Sequence, residues 1–460
     1  MKELEKKWGF PTALSMVIGI VIGSGIFFKG SKVLSFTGGN MLEALFVIGS
    51  VGIICIVCSN VFAEMGKYYT GCNGLVDYAE VAFGKKFAYF VGWFTSTIYN
   101  PAIAAITSYI AATYFCMMIG LDVYGKANAG IGLLFMTLII LMNVFTPKLA
   151  GKFQVSSTII KLIPIVLMAL VGTTIGIING NGIQIFTNAS FAKTSNGVDG
   201  IFSGICAFAF AYEGWIAATT INSELKNPKR DLPLALIIGG IFCTVFYMLY
   251  VYSMSATLSP SEIIEAGDSL PKIAFTNIFG NVAGNLIMAF IVISCLGTSN
   301  GMAICTMRGF YSLAIRGKGK LAKSFSQINE KTGMPHKSCI IGIILMIFWL
   351  FQFSVLYLQG PLAFNSTHNP EWLLAWEADE TCVITMYAIF IPIFIHIIRK
   401  EKQMSYFHRF ILPALAIIMA TFMCYCSYVA YGIQIIYYLV FFILLEGIGM
   451  LFYINDKKKY

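Results

Sequence analysis

Charge is scarce in this sequence. Of 460 residues, 12% are Asp, Glu, Lys or Arg, about half the share of a soluble domain. Histidine is scarcer still. The four present (His336, His368, His396 and His408) are far apart, so no metal site and no cofactor are expected. The strand-like alternation of an outer-membrane barrel is missing. So are the biased, low-hydrophobicity stretches of a disordered or collagen-like chain. Twelve cysteines lie scattered through apolar runs, and the one CxxC, Cys55 and Cys58, has no matching pair. A disulfide-stapled secreted domain is excluded, and the CxxC inside an apolar helix argues against metal or redox use. No small-residue cleavage pattern follows the charged start, so no cleavable leader is expected. The apolar segments show no two histidines or two aspartates in register, which argues against a membrane-embedded enzyme and leaves no candidate catalytic residue. A repeated selectivity filter is also lacking, which argues against a channel.

What the sequence has in excess is apolar surface. Hydrophobic residues make up 58%, and 43 glycines bring the apolar share to about two-thirds, more than a soluble globule can bury. A membrane-spanning helix needs about 20 apolar residues. Twelve segments qualify, near 11–35, 42–66, 86–119, 127–146, 153–178, 199–225, 233–257, 280–316, 338–358, 373–399, 410–431 and 433–454. The third and eighth exceed the bilayer and must tilt or extend into water. The net charge of +9 reads as the cytoplasmic Lys/Arg excess that orients membrane proteins, not as a nucleic-acid surface. With the N-terminus inside, 25 of the 31 Lys and Arg fall on inside segments and five on outside loops (Lys29, Lys32, Lys126, Lys193 and Lys272), while Lys161 lies within a span. That bias predicts an even span number with both termini cytoplasmic. The loop near 317–337, with Lys318, Lys320 and Lys323, reads as a solvated, topology-setting connection.

Two motifs break the apolar pattern. In span 1, GIVIGSGIFFKG places Gly23-Ser24-Gly25 in mid-bilayer, where two glycines weaken a helix. Backbone N–H groups released there cannot stay unsatisfied in hydrocarbon. Aided by the positive end of the following half-helix, they suit an anion such as a carboxylate. Close helix packing through small residues is the other reading. In span 6, Glu213-Gly214 interrupts FAFAYEGWIAATTINSELKNPKRDLPLAL at a corresponding place. Paired interruptions five spans apart point to an inverted-repeat transporter with its site at the midplane. Loosened carbonyls at the second break suit an ammonium group, so the two breaks together favour a zwitterion.

GSGIF, AYEGW, ELKNPKRDLP and SCLGTSNG together resemble the amino acid–polyamine–organocation superfamily, and within it the bacterial L-type amino acid transporter-like branch. The resemblance runs through spans 1 to 10. After span 2 the chain departs from the pattern: TGCNGLVDYAEVAFG keeps Gly74 and Tyr78 but lacks the proline and paired glycines of relatives. The resemblance implies an all-α membrane protein of 12 helices with a LeuT-like 5+5 inverted repeat and discontinuous helices 1 and 6. Residues 1–180 would form the first repeat, 199–400 the second, and 405–455 two peripheral helices. Amides of Ser24 and Gly25, beside Gly23, would hold the substrate carboxylate. Carbonyls near Val21, Ala207 and Phe210 would hold the amine, and the Phe210 ring would close over the substrate. Tyr99, Asn100 and Ile103 would line the side-chain pocket.

Lys161, in STIIKLIPIVL of span 5, is an intramembrane cation, functional by default; a snorkelling lysine is the alternative. By resemblance it occupies the place of sodium in sodium-coupled relatives and would bridge span 1 to Thr298 and Ser299 of span 8, either as a fixed charge in an exchanger or as a titrating group in proton symport. Glu213 would pair with a cationic side chain, take up a proton during the cycle, or only brace loosened backbone. Glu377, Asp379 and Glu380 read either as a solvated helix start or as a cation-attracting vestibule. Glu224, near Lys226 and Lys229, is a candidate gating acid. The expected activity is sodium-independent transport of amino acids across the cytoplasmic membrane by alternating access. The alternative is a proton-coupled symporter or exchanger of cationic amino acids or polyamines. The implied partners are an amino acid substrate and membrane lipid, with protons added in the alternative; nucleic acid and an obligatory protein partner are not implied.

Overall fold

The computed structural model describes residues 8–69, 74–123, 125–180, 197–219, 225–255, 257–317, 320–329, 333–354, 374 and 376–457. Among them the chain is helical throughout; the one strand-like pairing is an isolated bridge between Trp8 and Leu225. Eleven helices are long and apolar enough to cross a membrane: Met41–Tyr68, Lys85–Ile119, Lys126–Phe145, Pro147–Ile178, Gly197–Ala217, Pro228–Met254, Asn281–Ala314, His336–Ser354, Ala378–Lys400, Phe407–Tyr431 and Ile433–Tyr453. A twelfth span is a bent pair, Phe10–Val21 and Gly25–Phe36, whose halves meet at 50°. Each of the twelve expected segments falls on one of these. Outward faces carry exposed Phe46, Ile53, Leu134, Ile159, Ile418 and Ile443, an apolar exterior suited to lipid and not to water. The protein is a multi-pass membrane protein.

Local chemistry explains where the helices start and yield. Asn40 caps the second span, its side chain accepting from the Glu43 amide at 3.3 Å, as an N-cap asparagine should. Span 3 widens into one π turn over Thr95–Tyr99, immediately before Asn100-Pro101. Proline has no N–H, so position 101 cannot donate to the Thr97 carbonyl one turn earlier. The Trp349 indole N–H, fully buried, donates to that carbonyl instead at 2.9 Å. Tyr99 and Asn100 thus lie where the helix register shifts.

Packing divides the chain into two compact units. The first takes Met1–Phe83, Ile159–Phe290 and Val383–Ala430: spans 1, 2, 6, 7 and 11 with most of 5 and 10. The second takes Gly84–Thr158, Ile291–Cys382 and Tyr431–Tyr460: spans 3, 4, 9 and 12 with most of 8. Inside the first unit, small residues let helices approach closely. A methyl group at Gly239 would lie 2.7 Å from a Val17 methyl, and one at Gly240 2.6 Å from the Ile56 side chain. Inside the second, a methyl group at Gly342 would lie 3.0 Å from the Thr306 carbonyl oxygen, backbone that cannot turn aside.

The Thr97 carbonyl supplies a test. Trp349→Phe removes its donor and should lower the thermal midpoint of the detergent-solubilised protein. Adding Pro101→Ala, which returns an amide one turn away, should recover part of the loss. An equal loss in both backgrounds would assign the effect to side-chain volume instead of the hydrogen bond.

Candidate functional site

Both expected breaks exist, and they lie in the same unit. The first half-helix of span 1 ends at Val21; Ile22 turns extended (φ −68°, ψ 92°) and the second half-helix starts at Gly25. A helix end leaves carbonyls without partners, and in an apolar interior each must find one. The Ile22 amide takes the Ile18 carbonyl at 2.9 Å. The Lys161 ammonium donates to the Gly19 carbonyl at 2.9 Å. The Tyr247 hydroxyl reaches the Val21 carbonyl, also at 2.9 Å. Lys161, 7% exposed, therefore sets a cation on the negative end of a half-helix dipole, and snorkelling does not describe it.

Span 6 gives way by a different route. After the regular helix Gly197–Ala209, residues Phe210–Tyr212 form one tight 3-10 turn. Glu213 is extended (φ −67°, ψ 156°) and Gly214 left-handed at φ +102°; a single turn, Trp215–Ala218, follows. At Gly214 a side chain is barred twice, by the positive φ and by the Ile20 side chain 2.8 Å from where a Cβ would sit. The Phe210 carbonyl accepts from the Glu213 amide at 3.2 Å. The Ala211 carbonyl lies 2.9 Å from the Tyr247 hydroxyl, whose one proton is thus shared between carbonyls of the two broken helices. The breaks also touch: a methyl group at Gly25 would lie 2.8 Å from Ala211 Cα and 2.9 Å from the Phe210 ring.

The first unit thus gathers Val21, Gly23, Ser24, Gly25, Phe210, Glu213 and Lys161. Ser24 is fully buried, and the Phe210 ring stands 5.6 Å from that of Phe28. Ala207 falls within the regular helix, before the break. Tyr99, Asn100, Ile103, Thr298 and Ser299 belong to the second unit. There the Ser299 hydroxyl bonds the Ser108 hydroxyl at 2.7 Å and the Ala104 carbonyl at 2.9 Å. Thr298 donates to its own helix at the Ser294 carbonyl.

Two expectations need correction. Lys29 and Lys32 are not in an outside loop: both ride on the second half-helix of span 1, and Lys29 is 1% exposed. The orientation tally counts them as loop charges although the apolar segment 11–35 already spans them, and the second half-helix carries both on to Phe36. Glu377, Asp379 and Glu380 are not a solvated helix start either, since all three are buried and Glu380 accepts from the Tyr431 hydroxyl. His396 Nε2 lies 3.3 Å from Glu401 and His408 Nε2 3.7 Å from Glu64. Glu224 lies outside the described residues. Tyr247 escaped the sequence reading altogether; its signal was a tyrosine in the middle of span 7, whose hydroxyl needs an acceptor at that depth.

Comparison with known proteins fits this geometry. The family profile described as amino acid permease matches residues 9–451. The chain is 31% identical over 336 residues to the serine/threonine exchanger SteT of Bacillus subtilis (strain 168), covering 72% of this chain and 73% of that one. It is 26% identical over 458 residues to the b(0,+)-type amino acid transporter 1 of Homo sapiens (98% and 88% covered). It is 25% identical over 358 residues to the human cystine/glutamate transporter (76% and 69% covered).

Tyr247→Phe should destabilise the protein by about 1–3 kcal/mol, the usual consequence of stranding buried polar groups. Chemical denaturation in detergent measures it. An unchanged midpoint would mean that water already serves the Val21 and Ala211 carbonyls.

Proposed function

The chain belongs to the amino acid permease family, and from that premise we propose that it is a sodium-independent amino acid exchanger working by alternating access. The observation that carries this reading is the pair of adjoining breaks joined through Tyr247. The amides of Ser24 and Gly25, at the positive end of the second half-helix, hold the substrate carboxylate. Carbonyls of Val21, Ala207 and Phe210 hold its ammonium group, and the Phe210 ring closes over it. Tyr99, Asn100 and Ile103 line the side-chain pocket. The exchange reading draws on SteT, named an exchanger of serine and threonine.

Residues 1–180 and 199–400 are read as inverted repeats, with 405–455 peripheral. The packing supports this, because each unit draws spans with an offset of five: 1 and 2 with 6 and 7, 3 and 4 with 9 and most of 8. The Lys/Arg bias supports cytoplasmic termini. In this mechanism Lys161 is a fixed cation that fastens the first half-helix at Gly19 and, in one state of the cycle, reaches Thr298 and Ser299. A fixed ammonium there takes the part that sodium plays in coupled relatives. One observation favours a second reading, proton-coupled movement of cationic amino acids or polyamines: an acid, Glu213, stands at the extended residue of the second break.

Purified protein in liposomes preloaded with unlabelled amino acids should take up labelled amino acid at a rate unchanged when choline replaces sodium. Lys161→Met should lower that uptake by about tenfold or more, since the Gly19 carbonyl loses a charged donor. Sodium-dependent uptake would overturn the assignment of Lys161. Under the second reading Glu213→Gln weakens arginine uptake more than serine uptake and flattens the response to external pH. Unchanged selectivity and pH response would leave Glu213 a structural brace.

A further inference from the structure

We propose that the turn joining spans 10 and 11 binds the headgroup of an anionic phospholipid on its exposed side, through Arg399, Lys400 and Lys402. The inference does not depend on the transport reading above.

Charge is sorted across this turn. Span 10 ends at Lys400 and span 11 begins at Phe407. Arg399, Lys400 and Lys402 are exposed, and among the described residues none of the three pairs with an acid. Glu401 stands between two of them in sequence and would be expected to offset them. It is buried instead. Its carboxylate accepts from the Tyr69 hydroxyl at 2.8 Å and from the Gln403 side chain, and His396 Nε2 lies 3.3 Å away. Glu64, near the end of span 2, is buried as well; it pairs with Lys67, and His408 Nε2 lies 3.7 Å from it. Both acids are thus engaged behind the turn, and the exposed side keeps three positive charges within four residues.

The turn is also fixed in place. The Tyr68 hydroxyl donates to the Gln403 carbonyl at 3.2 Å, and the Ser405 hydroxyl lies 2.8 Å from His408 Nδ1. Arg409 Nε donates to the Ile398 carbonyl at 3.1 Å, tying the start of span 11 to the end of span 10. A backbone already ordered loses less freedom when an anion binds to it. The position of the turn points to a lipid and not to a soluble anion. Tyr406 and Phe407 are exposed, aromatics of the kind that settle at the membrane–water interface. Beyond them Ile411, Leu415 and Ile418 are exposed too, and their spacing sets them with Phe407 on one helix face, a face suited to acyl chains. A basic cluster at the end of a span attracts anionic lipids. A zwitterionic headgroup carries an ammonium group of its own, which the same three cations repel.

The test titrates the full-length protein, in a non-ionic detergent, with dioctanoyl phosphatidylglycerol or dioctanoyl phosphatidylcholine, and native mass spectrometry counts the bound lipid. Wild-type protein should take its first phosphatidylglycerol at a concentration about tenfold or more below that needed for phosphatidylcholine. Arg399→Gln, Lys400→Gln and Lys402→Gln combined should abolish that preference. A control of equal charge, Lys86→Gln, Lys148→Gln and Lys152→Gln combined, removes three exposed lysines elsewhere and should keep it. Glycerol 3-phosphate, which has the phosphate without the acyl chains, should not displace phosphatidylglycerol at a matching concentration. An absent preference in the wild type, or an unmoved one in the 399–402 variant, overturns the site. Equal loss in both combined variants also overturns it, assigning the effect to net charge. Displacement by glycerol 3-phosphate overturns the lipid as occupant. All six substituted residues are exposed, so their replacement leaves the core alone. Should the 399–402 variant still fail to fold, Lys402→Gln alone, expected to narrow the preference severalfold, decides in its place.

Discussion

The structure depends on one constraint: a helix interrupted inside hydrocarbon must find partners for the backbone groups it releases. Interrupting span 1 after Val21 frees carbonyls that the next turn can no longer reach. Lys161 takes Gly19, Tyr247 takes Val21, and the Ile22 amide takes Ile18. The same Tyr247 hydroxyl serves Ala211 in span 6. One side chain on span 7 therefore fastens both breaks, and any movement that separates Val21 from Ala211 must give up half of that shared bond. An intramembrane lysine and an intramembrane tyrosine, each expensive alone, become the terms on which two broken helices are tolerable.

That arrangement works only because glycine stands at the points of closest approach. Gly25 meets the backbone of Ala211, and Gly214 combines a left-handed backbone with the Ile20 side chain at van der Waals limit. A β-carbon at either place would push the breaks apart and pull the Val21 and Ala211 carbonyls off Tyr247. The glycines of GSG and EG therefore have two tasks that cannot be separated. They weaken the helix so that it breaks, and they let the broken ends meet. Close packing and backbone exposure, alternatives at the level of sequence, are here the same feature.

This explains how much could be read in advance. The twelve spans were legible, because a 20-residue apolar run admits few other interpretations. The breaks at Gly23–Gly25 and Glu213–Gly214 were legible too, because glycine in mid-span is a local signal. What escaped was whatever depends on a neighbour distant in sequence. Tyr247 looks like one of several aromatics in span 7, and only the approach of Val21 and Ala211 distinguishes it. Asp379 and Glu380 look like a helix start in water, yet packing buries them. Lys29 counts as a loop charge in an orientation tally, since nothing in its own stretch of sequence tells that the Phe28 and Phe210 rings will lie beside its ammonium. Ser299 was legible as a hydroxyl on span 8, but not its bonds to Ser108 and the Ala104 carbonyl.

The two breaks are also fixed against one another along the helix axes. Lys161 sits on the carbonyl end of the first half-helix, and Glu213 is the extended residue of the second break, next to the Gly214 that meets Ile20. Tyr247 reaches Val21 and Ala211 at once, while Gly25 meets Ala211 on one side of the crossing and Gly214 meets Ile20 on the other. Neither break could therefore shift by a residue along its own helix without stranding a carbonyl or forcing a β-carbon into the partner. The position of each interruption is set by the other, and a motif that looks local in sequence is a constraint between two helices.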